Sequence, residues 1–206
     1  MILYRSGAFG ALGANHYCIY DPKGSSAVLI ECADEGALTL AGDRRIEAIL
    51  LTHAHFDHAA AARRVAEKTG AKIYLGIGDL ALAAAPIQQF SPQWEVPSEP
   101  FEPHVVLHEE RDLTFSCATV RVLMTPGHTP GSVSYLVGDL LFSGDTLFSA
   151  SIGRTDFPGG SEDAMKKSLA RLSALDPGTH VLPGHGDPTT VARERTVNPF
   201  LRAALC

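Results

Sequence analysis

Apolar positions fall into short runs whose period changes along the chain. Residues 16–20 and 27–30 are apolar stretches joined by Asp21-Pro22-Lys23-Gly24, which has the residues a tight turn needs, so the chain is expected to open with a hairpin. Residues 46–52 form a continuous apolar run typical of a strand buried on both faces. An Ala/Arg-rich stretch over 59–69, closed by Gly70, predicts a helix with a glycine C-cap, and 72–75 predicts the next strand. Pro86, Pro92, Pro97, Pro100 and Pro103 mark a long surface loop that would shape or cover a substrate site, with a short helix over 78–85 before it. The apolar stretch 80–87 beside this loop is a candidate interface between copies. Alternating runs at 114–116, 119–124, 132–137 and 139–143 predict antiparallel strands. Ser161, followed by Glu162 and Asp163, starts a helix through Leu172, and Val181-Leu182 is a final strand before Pro183. The two similar halves predict an α/β fold of two sheets face to face with helices outside.

Composition narrows this picture. With 206 residues, 45% hydrophobic and 19% charged, the expectation is one domain over 1–206 with a large core. A net charge of -6 without any Lys/Arg cluster excludes a field for polyanions, so nucleic acid is not an expected partner. The first residues, broken by Gly7, Gly10 and Gly13, lack the regions of a signal peptide, and no apolar run is long enough to span a membrane. Cys18, Cys32, Cys117 and Cys206 are scattered without a CxxC pair, so a cytoplasmic location is expected, with Cys32 a packed thiol.

The strongest chemical signal is Thr52-His53-Ala54-His55-Phe56-Asp57-His58, where the buried strand ends and a helix begins. Imidazole and carboxylate are donors favoured by zinc, iron(II) and manganese, and a strand-to-helix loop directs alternate side chains to two adjacent points. One short loop can thus serve two metals. Three further candidates stand at strand ends beside glycine or proline: His128 in Pro126-Gly127-His128, Asp145 in Gly144-Asp145, and His185 in Pro183-Gly184-His185-Gly186. A lone histidine beside a glycine turn is ordinarily a surface or satisfied core residue; repetition is what makes these candidates. Asp145 follows an apolar strand, where a carboxylate needs a cationic partner. No Gly-x-Ser-x-Gly elbow occurs, and Gly7, Gly10 and Gly13 read as turns, since no strand precedes them and no lysine follows.

His-x-His-x-Asp-His, followed by separate His, Asp and His at strand ends, resembles the metallo-β-lactamase superfamily over nearly the whole chain. The resemblance implies an αββα sandwich with metals at one edge between the sheets: His53, His55 and His128 on the first, Asp57, His58 and His185 on the second, and Asp145 bridging. Two divalent ions are the implied cofactors, zinc first, with iron or manganese acceptable to the same donors. Gly153-Arg154-Thr155-Asp156-Phe157 is similar to a loop of glyoxalase II-like hydrolases and persulfide dioxygenases. Gly184-His185-Gly186 and Asn198-Pro199-Phe200-Leu201 more closely resemble the short bacterial glyoxalase II-like proteins, the hydroxyacylglutathione hydrolase-like branch. Full-length glyoxalase II enzymes carry a helical carboxy-terminal domain that supplies glutathione contacts, whereas this sequence runs only to Cys206, and they have an aromatic residue where Asp156 stands. The family also usually has aspartate in place of Glu31, supporting a metal-bound histidine; Glu31 either reaches that position or faces solvent at a strand end.

The implied activity is hydrolysis of a small thioester of the S-2-hydroxyacylglutathione kind by a metal-bound hydroxide. Two ions about 3.5 Å apart lower the pKa of a shared water and polarise a carbonyl, so no ionised serine or cysteine is needed. Asp57 is the expected catalytic residue, orienting the hydroxide while ligating one ion. Arg154 is a candidate for binding a substrate carboxylate, with a surface ion pair as its alternative, and Tyr4 or Tyr17 are candidates to line the pocket. The rival activity is a persulfide dioxygenase with one iron(II) on His53 or His55, His128 and Asp145. β-Lactam hydrolysis is a third reading, disfavoured by the missing secretion signal. A small-molecule substrate is expected, with neither nucleic acid nor membrane as partner and the oligomeric state open.

Overall fold

The computed structural model describes residues 2–85 and 99–205. One sheet contains β1 (Leu3–Phe9), β2 (Ala14–Tyr20), β3 (Ser26–Ile30), β4 (Arg45–Leu50), β5 (Lys72–Gly76) and β6 (Val105–Leu107), side by side in chain order. The other contains β7 (Asp112–Thr114), β8 (Thr119–Met124), β9 (Val133–Val137), β10 (Leu140–Gly144), β11 (His180–Pro183) and β12 (Thr189–Thr190). β1 to β3 are antiparallel and β3 to β6 parallel, while in the second sheet β10 and β11 pair in parallel and the other neighbours antiparallel. Helices α1 (Phe56–Ala59), α2 (Ala62–Thr69) and α3 (Leu80–Ala84) pack on the outside of the first sheet, and α4 (Glu162–Ser173), α5 (Val191–Val197) and α6 (Pro199–Ala204) on the outside of the second. This is the αββα order expected from the sequence.

Both faces of the central strands are buried, which is why their sequences read as unbroken apolar runs. In β2 and β3, Cys18, Tyr20, Ala27 and Leu29 face the helices, whereas Tyr17, Ile19, Val28 and Ile30 meet Val122, Val133, Tyr135, Phe142 and Leu182 of the other sheet. Each fully buried aliphatic or aromatic side chain there contributes about 1.5–3 kcal/mol. Two buried hydroxyls cross between the sheets: Tyr135 donates to the Leu51 carbonyl at 2.8 Å and Tyr17 to that of Pro183 at 2.7 Å. Tyr17 is therefore a core residue rather than a pocket wall, and Tyr4 packs edge-on against it on β1, 6.2 Å between ring centroids.

The expected hairpin is β2–β3, with Gly24 N–H bonded to the Asp21 carbonyl at 2.9 Å, but β1 precedes it and pairs with β2. Its pattern is mostly exposed, so pairing rather than hydrophobic periodicity makes it a strand; Gly7 lies within it, and only Gly10 and Gly13 turn the chain. The helix expected over 59–69 starts earlier and is split, because the Ala61 N–H bonds to the Cys32 carbonyl at 2.9 Å instead of continuing α1. Gly70 caps α2 in the left-handed conformation, as its position predicted. The strand expected at 114–116 lies at Asp112–Thr114, and Ser161 caps α4 by accepting from Ala164 N–H. β6, β12, α5 and α6 come in addition to the elements expected from the sequence. Of the stretch expected as an interface, Leu82 and Ala83 are in the core, and Ile87, with Pro86, Pro92 and Pro97, lies outside the described residues. No helix among the described residues is long and apolar enough to cross a membrane.

Candidate metal centre

The strands that carry candidate donors end at one edge of the sandwich. β4 runs into Thr52, whose carbonyl accepts from Val133 N–H at 2.8 Å, so the loop holding His53 and His55 is tied to the second sheet. α1 then turns Asp57 and His58 inward. From the other sheet, His128 follows β8, Asp145 follows β10 and His185 follows β11. Two glycines permit this convergence. A Cβ at Gly144, whose φ is 49°, would lie 2.2 Å from Thr52 Oγ1, and one at Gly184 would lie 2.3 Å from Asp145 Oδ1.

All seven predicted donors meet there. His53, His55 and His128 form one group and Asp57, His58 and His185 another, with the donor atoms of each group within 4.8 Å of one another. His55 Nδ1 is 2.9 Å from His128 Nε2, and His58 Nε2 is 3.3 Å from His185 Nε2. Asp145 stands between the groups, with Oδ1 3.4 Å from His58 Nε2 and Oδ2 3.6 Å from His128 Nε2 and 3.8 Å from His185 Nε2.

Hydrogen bonds on the far side of the rings fix which nitrogen carries a lone pair. Glu31, a carboxylate, only accepts; it accepts a hydrogen bond from the Thr52 hydroxyl at 2.5 Å, so Thr52 Oγ1 accepts in turn from His53 Nδ1 at 3.0 Å. His53 Nε2 is left as an acceptor with no partner. The Arg154 carbonyl likewise accepts from His128 Nδ1 at 2.7 Å, leaving Nε2 to face the cluster. Glu31 Oε1 also lies 3.5 Å from His58 Nδ1. Glu31 is only 1% exposed, so the solvent-facing alternative is overturned: the longer side chain, on a backbone with φ of 67°, reaches the histidines.

This arrangement fits a pair of cations. His53 Nε2 and Asp145 Oδ1 are buried without a hydrogen-bond partner, an expense that a bound cation removes. Burial, with His58 and its neighbours beside it, pushes His53 well below the ordinary histidine value, and burial with His128 pushes His55 down to about 3, so both are neutral donors near neutrality. Burial also acts against a charged His58, but Asp145, Asp57 and Glu31 outweigh it and push its pKa up to about 10: a proton is held where the carboxylates call for positive charge. Burial opposes an ionised Asp57 too, yet His58 and His185 hold its carboxyl well below the usual range.

Above the cluster opens a cavity of about 320 Å³, walled by Leu12, Phe56, Phe148, Phe157 and Arg154 and floored by His55, Asp57, His128, Asp145 and His185. Arg154 is at its rim, but its guanidinium is bidentate to Asp156, at 2.7 and 2.6 Å, and lies 3.9 Å from the Phe157 ring centroid. The surface ion pair foreseen as its alternative is thus formed. Cys32 is a packed thiol, pushed up to about 12 chiefly by burial.

Asp79 supports the site without belonging to any motif of the sequence. Fully buried, it accepts from Ala54 N–H and Thr129 Oγ1 at 2.9 Å each with Oδ2, and from Gly131 N–H at 2.7 Å with Oδ1, tying the His53–His55 loop to the His128 loop. Nothing local marks it, since its partners are distant in sequence.

An αββα sandwich with this His/Asp cluster at its edge defines a class, and the chain belongs to it: residues 16–185 match the family model of the metallo-beta-lactamase superfamily. The chain is 39% identical to an uncharacterized protein of Mycobacterium leprae, over 93% of this chain and 95% of the other. A probable metallo-hydrolase of Bacillus subtilis is 37% identical over 96% and 92%, and hydroxyacylglutathione hydrolase GloC of Haemophilus influenzae 30% identical over 90% and 87%. Among solved structures, BLEG-1 B3 metallo-beta-lactamase superposes with a TM-score of 0.86 at 33% identity, over 97% of this chain and 99% of that one. TTHA1623 in a di-iron-bound form gives 0.84 at 37% identity, over 95% and 99%.

Proposed function

We propose that this metallohydrolase cleaves small thioesters of the S-2-hydroxyacylglutathione kind. The observation that carries the reading is that two members of each donor group, His55 and His128 of one and Asp57 and His185 of the other, line one cavity together with Asp145. When bound, two divalent ions lower the pKa of a shared water and polarise a carbonyl. His53, His55 and His128 would hold one ion, Asp57, His58 and His185 the other, and Asp145 both. Asp57 faces the cavity and orients the attacking water. Arg154 takes a substrate carboxylate by exchanging it for Asp156, and Phe148 and Phe157 pack on the acyl group.

The lining of the cavity favours a thiolate leaving group. Besides the metal donors, the ionisable residue lining it among those described is Arg154, which releases no proton near neutrality. An amine leaving group needs a positioned acid; a thiolate does not. The similarity to hydroxyacylglutathione hydrolase GloC supports the same substrate class. β-Lactam hydrolysis is the second reading, favoured by the likeness to BLEG-1 B3 metallo-beta-lactamase. A dioxygenase with one iron would leave Asp57, His58 and His185 without a task.

The test is turnover of S-D-lactoylglutathione with metal content measured on the same sample, alongside oxygen uptake on glutathione persulfide and hydrolysis of a chromogenic cephalosporin. Thioester hydrolysis with about two metals per chain is expected. Oxygen uptake with one iron, or cephalosporin turnover alone, overturns the reading. Asp57→Ala is expected to fold and to lose about a hundredfold or more in hydrolysis; unchanged turnover would remove Asp57 from the mechanism.

A further inference from the structure

Asn198-Pro199-Phe200-Leu201 takes no part in the donor cluster, yet Asn198 is fully buried and its polar atoms are all used. Its Oδ1 accepts from Phe200 N–H at 3.1 Å and Leu201 N–H at 3.3 Å, capping α6. Its Nδ2 donates to the Ser151 carbonyl at 2.9 Å, to Glu194 Oε2 at 3.0 Å and, more weakly, to the Phe148 carbonyl at 3.4 Å. Glu194, also fully buried, accepts from Ala150 N–H at 2.7 Å and from the Thr189 hydroxyl at 2.6 Å, while Arg193 donates to Ser149 Oγ at 3.0 Å. Side chains from α5 and its C-terminal cap therefore grip all four residues of a turn, Phe148 to Ser151.

The turn would not hold this shape by its own preference. It closes through Phe148 N–H on the Ser151 carbonyl at 3.0 Å and puts Ala150 at a φ of 57°. A left-handed alanine costs about 1–2 kcal/mol, and such strain persists where surrounding contacts impose it. The turn also meets the cavity: Phe148 forms part of its wall, with its ring centroid 6.1 Å from that of His185.

We infer that Asn198 and Glu194 are positioning residues for substrate binding, latching the Phe148 wall over His185 from the far side of the turn. The inference rests on the cavity being the thioester site proposed above. Loosening the latch softens the wall that packs on the substrate while leaving the donors and Asp57 in place, so KM changes and kcat does not.

Asn198→Ser separates the side chain's two roles, because serine keeps an N-cap acceptor while its shorter side chain lacks the amide NH2 that reaches the turn. Metal-loaded protein is examined by amide hydrogen exchange over the turn and by steady-state kinetics on S-D-lactoylglutathione. Exchange at Phe148 to Ser151 is expected to rise about five- to tenfold, the equilibrium effect of about one hydrogen bond. KM is expected to rise by a similar factor with metal content and kcat unchanged, and in a Phe148→Ala background the substitution adds nothing to KM. Unchanged exchange overturns the latch. Faster exchange with unchanged KM, or a KM increase that persists without the Phe148 ring, overturns its role in binding. Should Asn198→Ser not fold, Glu194→Gln, which weakens the grip on Ala150, is read the same way. If the wild type turns over no thioester, that failure belongs to the proposed function, and the exchange measurement alone decides the latch.

Discussion

Single buried polar residues set the geometry of this site as much as the donors do. Asp79 accepts three hydrogen bonds from two donor loops, and leaving each buried donor unsatisfied costs about 1–3 kcal/mol. Asp79→Ala is therefore expected to lower the urea midpoint and to weaken metal retention against a chelator; a stability loss with metal affinity untouched would show that Asp79 serves the fold alone. His16 bears on acid stability. Its Nε2 accepts from Ala33 N–H at 2.7 Å and Nδ1 donates to the Ala14 carbonyl at 2.8 Å, and burial pushes its pKa down to about 4 from 6.5. Between those values the unfolded chain binds a proton that the folded chain does not, so stability contributed by neutral His16 is present above about pH 6.5 and is lost as pH falls toward about 4. The advantage of wild type over His16→Gln in unfolding free energy is expected to shrink by about 3 kcal/mol over that window; a pH-independent difference would contradict it.

At the level of elements, the ends of strands matter more than their lengths. β10 and β11 are parallel neighbours whose carboxyl ends deliver Asp145 and His185, and they come this close because Gly184 has no side chain. A Cβ there would lie 2.7 Å from His58 Cε1 as well as against Asp145. Gly184→Ala is expected to keep both sheets, by circular dichroism, and to bind less metal, by elemental analysis; full metal occupancy would refute the close-packing argument. The break between α1 and α2 has the same origin. The Cys32 N–H bonds to the His58 carbonyl at 2.6 Å and the Cys32 carbonyl takes the Ala61 N–H, so a neighbouring strand end interrupts a helix that its own sequence would continue.

Across the whole molecule, two sheets with three apolar layers act as a rigid frame for loops drawn from both halves. Cations held at the shared edge would link those halves, so metal removal should lower the melting temperature of the entire protein and readdition restore it. At a free metal concentration of about a thousand times Kd the expected stabilisation is about 4 kcal/mol, and a melting temperature insensitive to chelation would count against the donor assignment. The sequence by itself determined the central strands and the Gly70 and Ser161 caps and marked the seven candidate donors that meet at one edge, because periodicity, capping and ligand chemistry are written in residues near one another or at recognisable strand ends. It did not determine β1, the split helix, the inward reach of Glu31, the bridging by Asp79 or the α5–α6 grip on the Phe148 turn. Those depend on partners far apart in the chain, whose hydrogen bonds exist only once the two sheets have packed and closed off water at their common edge.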